Sequence, residues 1–151
     1  MKKLILISAL LLFASNGWAD EDFEIKTNFS LYFKHLSDIS EDLHRCAEMY
    51  IAINGYLFQN PESLFKTATP EQWLKSAGDA TIWAVGIEAI IGKPITIHSF
   101  QERDNRISFY QETLRQGEKG DQQAVDLIKY DLKVCLDIVN NNVELLSEIH
   151  N

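Results

Sequence analysis

Phe29 to Leu57 reads FSLYFKHLSDISEDLHRCAEMYIAINGYL, and the spacing of its apolar residues decides the fold. Phe29, Tyr32, Leu36, Ile39, Leu43, Cys46, Tyr50, Ile53 and Leu57 follow one another in steps that alternate between three and four. An α-helix turns once in about 3.6 residues, so this row stays on one face and makes a seam for a nearly parallel or antiparallel neighbour. The spacing predicts one long helix from about Glu24 to Phe58. Asp20, Glu21, Asp22 and Glu24 precede or open it, where the positive end of the helix dipole favours negative charge.

The same alternation returns near the other end of the chain, in Val125, Ile128, Leu132, Cys135, Val139, Asn142, Leu146 and Ile149. It predicts a last helix from about Asp121 to Ile149. Asn142 is the polar member of that row. It reads as a register-fixing position or a fraying helix end, with a ligand contact as the alternative.

Between these two seams lie further start and stop signals. Asn60-Pro61-Glu62 pairs a capping residue with proline at a first helical position and predicts one short helical turn. Thr69-Pro70-Glu71-Gln72 repeats the device with a capping box and opens a helix to about Ile91. Trp73, Ala77, Ala80, Ala84, Ile87 and Ile91 form its stripe. Ile82, Trp83, Val85 and Ile90 make its second half apolar on other faces too, which predicts a central helix. Ala77, Ala80, Ala84 and Gly86 leave room for a close neighbour, and Gly92-Lys93-Pro94 ends the element. Ile95 to His98 reads as an extended connection. Ser99 and Glu102 form another capping box, opening a helix to about Gln116 with Phe100, Ile107, Tyr110 and Leu114 inward. Gly117 and Gly120 bracket the turn that follows.

Cys46 and Cys135 are the two cysteines of the chain, one on each seam. Cys46 lies about 12 residues before the end of the first long helix, and Cys135 about 14 after the start of the last. Measured from one end of an antiparallel pair, the two heights differ by only about 3 Å at 1.5 Å per residue. An even count of two cysteines predicts a structural disulfide in an oxidising compartment, with a metal or redox pair as the alternative. The bond would close a loop of about 90 residues, for which chain entropy gives at most about 4–5 kcal/mol. The matching heights agree with an antiparallel pair. The fold expected is all-α: an antiparallel four- to five-helix bundle in up-down-up-down order, its first and last long helices linked by the disulfide.

Met1-Lys2-Lys3 is a short basic start, and Leu4 to Ala14 is an apolar run of 11 residues. Asn16-Gly17-Trp18-Ala19 then places small residues where a signal peptidase cuts. Residues 1–19 therefore read as a cleaved secretory signal, and residues 20–151 as one helical domain, periplasmic or secreted. The apolar run is well short of the roughly 20 residues a membrane span needs. No stable membrane insertion is expected after cleavage.

The formal net charge is −8, and losing Lys2 and Lys3 with the signal takes it to −10. Phosphate affinity comes mainly from Lys and Arg, so nucleic acid is a poor candidate partner. Cys-x-x-Cys, Gly-x-Ser-x-Gly and phosphate-cradling glycine loops do not occur in the sequence. Glu41-Asp42-Leu43-His44 carries one Glu-x-x-His, a unit that di-metal bundles use twice. With one copy, His44 reads as a helix flank, and His35 and Met49 offer no paired ligand. Asp38, Glu41 and Asp42 read as one wet helix face. No enzyme activity, metal or cofactor is expected. The longest non-helical candidate runs from Gly92 to Ser99, and loops are common binding elements. Lys93, Pro94, Thr96 and His98 are the candidate partner-binding residues there.

Two stretches resemble the periplasmic amidase immunity proteins of type VI secretion systems. In that family a late helix commonly reads Lys-Cys-Ile-Asp-Leu, then a short polar segment and Glu-Leu. Lys133-Val134-Cys135-Leu136-Asp137-Ile138 and Glu144-Leu145 look like it, with Val134 inserted. Leu43-His44-Arg45-Cys46-Ala47 is similar to the family's early motif, and Ser76-Ala77 to Glu88 is loosely similar to its middle helix. The likeness covers about a third of the chain and transfers no inhibitory residue. It implies a small exported binding protein that plugs a cell-wall hydrolase. Acidity adds that such a partner is basic. The alternatives are a periplasmic bundle that carries or senses a small apolar ligand, and a purely structural protein.

Overall fold

The computed structural model describes residues 19–93 and 100–150, and it divides into two units, residues 1–35 and 36–151. Five helices occur among the described residues: α1 (Ala19–Gln59), α2 (Pro70–Ile90), α3 (Phe100–Glu118), α4 (Gln122–Asn141) and α5 (Val143–His150). The chain is all-α, and Cys46 on α1 is bonded to Cys135 on α4.

The first unit contributes the opening of α1. The helix begins at Ala19 rather than Glu24, so Asp20, Glu21 and Asp22 sit in its first turn. That is where exposed N–H groups favour acids. Tyr32 and Phe33 meet edge to face at 6.5 Å. Tyr32, the first described member of the seam, is half exposed.

In the second unit the helices run up, down, up and down. Lys93 just after α2 bonds Ser37, Glu88 bonds Ser40 and His44, and Trp73 stacks on Tyr50. Numbers rise along α1 as they fall along α2, so the two are antiparallel. Arg106 near the start of α3 pairs with Glu48, and Glu118 at its end holds Ser63 beyond the end of α1. Those contacts make α3 parallel to α1. Tyr110 donates to Asp131 at 2.9 Å, and Gly117 faces Val125, which makes α4 antiparallel to α3. The core is built from the predicted rows: Leu36, Ile39, Leu43, Cys46, Ile53 and Leu57 on α1, Ala80, Ala84 and Ile87 on α2, Tyr110 and Leu114 on α3, Ile128 and Cys135 on α4.

Local signals behave largely as read. Thr69 and Gln72 exchange both bonds of the capping box, at 2.8 and 3.3 Å. Asp121 caps α4 by accepting from the N–H groups of Gln123 and Ala124. Gly92, at φ +65°, follows the end of α2 in the left-handed conformation that glycine adopts without strain.

Four expectations need correcting. Asn60-Pro61-Glu62 opens two linked turns rather than a turn of helix. The Asn60 side chain and N–H both bond back to the Tyr56 carbonyl, so Asn60 closes α1 instead of starting a new element. The last helix is two helices, because it stops at Asn142. There the side-chain amide donates to the Ile138 carbonyl at 2.8 Å and takes over an acceptor that helix continuation would use. Met49, absent from the predicted seam, is completely buried. α1 packs against three neighbours, so its buried arc is wider than one seam. Finally, α2 is not enclosed on all sides: Leu74, Ile82 and Ile90 are about half exposed. The extended reading of Ile95 to His98, the capping role of Ser99 and residues 1–18 of the signal lie outside the described residues.

Candidate functional site

Two places in the second unit hold polar chemistry against apolar surroundings. The first is internal. Ser40, His44 and Glu48 stand at spacing four on α1, beside the apolar seam. Glu88 sits at the same spacing after Ala80 and Ala84 on α2 and is 1 % exposed. Ser40 donates to Glu88 Oε1 at 3.1 Å, and His44 Nε2 lies 3.2 Å from the same oxygen. Glu48, also buried, pairs with Arg106 Nε at 2.7 Å. Burial of carboxylates is tolerable only with such partners.

This grouping is not a nucleophile relay. A hydroxyl is activated when an imidazole lies between it and a carboxylate. Here the carboxylate lies between the other two, and Ser40 is wholly inaccessible. Nor does Glu41 join His44 as a metal pair: Glu41 is exposed, while His44 turns to Glu88. Among the described residues no three potential ligands converge. The network joins α1 to α2 and α3, and satisfied buried polar groups of this kind fix helix register.

The second place is an open groove between α2 and α4–α5. Its larger part encloses about 410 Å³ over Trp83, Val139, Val143 and Leu146, with Lys75, Asp79 and Ser147 at its polar side. An adjoining recess of about 180 Å³ shares Asp79, Trp83 and Val139 and reaches Tyr50, Leu136 and the disulfide. Val143 and Leu136 are 55 % and 57 % exposed, so the lip is apolar as well as the floor. Trp83 Nε1 is buried without a hydrogen-bond acceptor. Lys75 Nζ is 2.5 Å from Asp79 Oδ2, so the groove's lysine is already paired. Burial raises the Tyr50 hydroxyl above its ordinary pKa and keeps it neutral.

Sequence spacing places α2, α4 and the disulfide correctly, yet the groove does not follow from it. The stripe of Trp73, Ala77, Ala80, Ala84 and Ile87 is inward, while Trp83 falls on the flank between core and solvent. The break at Asn142 precedes Val143 and Leu146, both of which line the groove. A signal for the internal network did exist: Ser40-His44-Glu48 and Ala80-Ala84-Glu88 are both rows of spacing four.

Of the candidate loop residues, Lys93 is half-buried. Its N–H donates to the Glu88 carbonyl at 3.0 Å, and its Nζ donates to Ser37 Oγ at 3.1 Å. Pro94, Thr96 and His98 lie outside the described residues. No family model, curated protein or solved structure matches the chain.

Proposed function

We propose that the chain is an exported helical protein that acts by binding another protein, as an inhibitor or immunity protein against a cell-wall hydrolase. The observation that carries this reading is the groove. An exposed apolar lip over a floor with an aromatic anchor, with polar and charged groups along one side, has features of a protein interface. The disulfide supports export, since such bonds persist in oxidising compartments. No described helix is long and apolar enough to cross a membrane. The mechanism is steric: the bound bundle covers the hydrolase cleft, and the net negative charge speeds encounter with a basic enzyme.

Purified cell-wall amidases, with and without an equimolar amount of the chain, test this by the clearing of suspended peptidoglycan. Clearing halts for a cognate enzyme and recovers as salt weakens the complex. Unchanged clearing by every amidase at low salt overturns the reading.

A second reading rests on the volume of the groove, which lies within the range of small-molecule sites. A carrier of an apolar compound would release a bound mass in native mass spectrometry of protein purified without denaturant.

A further inference from the structure

We infer that α5 is a hinged latch: it undocks from α2 and melts as one unit at Asn142 while the rest of the second unit stays folded, and its position sets the width of the groove. The inference does not depend on what the groove binds.

The hinge is built from Asn142. Its backbone leaves the helical conformation, at φ −123° and ψ 22°. Its N–H donates to the Val139 carbonyl at 3.2 Å, and its side-chain amide donates to the Ile138 carbonyl at 2.8 Å. Two of the carbonyls that end α4 are thus satisfied by Asn142 itself and not by α5. Release of α5 strands neither. The disulfide ties α4 down at Cys135, seven residues before the joint, or about 10 Å at 1.5 Å per residue. That cross-link holds α4 and not α5.

α5 docks through apolar side chains. Leu146 is 2 % exposed, Leu145 and Ile149 are partly buried against the core, and Ile149 lies on Gly86. Packing around them is not continuous. Val143, Leu146 and Ser147 border about 410 Å³ of open volume, and Val143 is 55 % exposed. A helix of eight residues has too little hydrogen bonding of its own to persist once the docking contact is lost. An element that combines a small buried contact with a jointed end opens before the rest of its fold. When α5 leaves, Trp83 and Val139 lose a wall, and the groove extends onto the α2 surface at Gly86.

Native-state hydrogen exchange on the whole chain, at urea concentrations below the unfolding midpoint, tests this. The amides of Leu146, Ser147, Glu148 and Ile149 exchange as one class. They exchange at least about tenfold faster than those of Ile128 and Cys135, with a smaller but non-zero urea slope. Ile128→Val, 14 residues before the joint, speeds exchange at Cys135 and leaves the α5 class unchanged, because residue 128 stays packed in the opened state. Ile149→Ala speeds both classes, because its contact is lost in either opening. The inference is overturned if the α5 amides exchange together with Ile128 and Cys135, or if Ile128→Val speeds them equally. It is overturned if they show no protection, or if they exchange one by one without a urea slope, which is fraying of a helix end. Exchange of the Asn142 N–H with the α5 class also overturns it, because the joint then lies elsewhere.

Discussion

Glu88 is 1 % exposed, accepts from Ser40 and shares a hydrogen bond with His44, so its replacement takes a partner from two groups on α1, of which Ser40 is fully buried. Leaving buried donors unpaired costs about 1–3 kcal/mol each before relaxation. Glu88→Ala is expected to destabilise the fold by about 2–4 kcal/mol in urea unfolding, and Glu88→Gln, which keeps an acceptor, by distinctly less. A smaller loss for alanine than for glutamine would mean that the network has no structural role. Tyr110 sets a second expectation. Burial, and then the bond to Asp131 and its charge, push its hydroxyl from an ordinary value of 10.0 up to about 12. The folded state thus holds the proton more tightly than the unfolded state. Its contribution to stability is complete below pH 10 and is lost as pH rises through about 12. Ultraviolet titration should show a tyrosinate component delayed to that range and absent from Tyr110→Phe. If Tyr110 ionises with the exposed tyrosines, the bond to Asp131 is not formed in solution.

At the scale of elements, the interest lies in α5. It is eight residues long, too short to hold its shape alone, so packing must maintain it. Its anchor is Ile149 against Gly86 of α2, where an added Cβ would lie 2.2 Å from the Ile149 methyl. Gly86→Ala therefore forces either the side chain or the helix to move, at a cost of about 1–3 kcal/mol. Adding Ile149→Ala removes the clash, so the double variant should be more stable than the sum of the single losses predicts. Thermal unfolding of the four proteins in the cycle measures that coupling. Strict additivity would show that α5 does not dock on Gly86. Gly117 makes a comparable close approach, to the Phe65 ring, and with Glu118 it holds the turns after α1 against the end of α3.

At the scale of the molecule, the disulfide joins residues 89 apart. Closing so long a loop in the unfolded chain is worth about 4–5 kcal/mol in the chain-entropy account. Both cysteines are under 5 % exposed, so the folded protein shields the bond from reductant. Cys46→Ala with Cys135→Ala is expected to lower stability by up to that amount and to steepen the urea dependence, because the freed unfolded chain exposes more surface. An unchanged midpoint would mean that helix packing alone sets the stability.

How much of this was legible depended on periodicity. The seams of α1 and α4 carry the direction of the helices, and Cys46 and Cys135, read as heights along those seams, carry the pairing. The capping box at Thr69 and the cap at Asp121 are local, so neighbours in sequence suffice to specify them. Asn142 was visible as the odd residue of its row. Whether it would fix register or end the helix depended on a bond to Ile138 that spacing does not disclose. His44 read as a solvated flank because its partner, Glu88, is 44 residues away. Trp83, Leu136 and Val143 each look like ordinary core or surface residues of their own helix. They become a groove only because α2 lies beside α4 and α5. Sequence by itself determined what repeats along one helix: the all-α class, the buried stripes and the cross-link. Tertiary structure alone decided which buried polar groups meet and where apolar surface stays open, because those are properties of the space between helices.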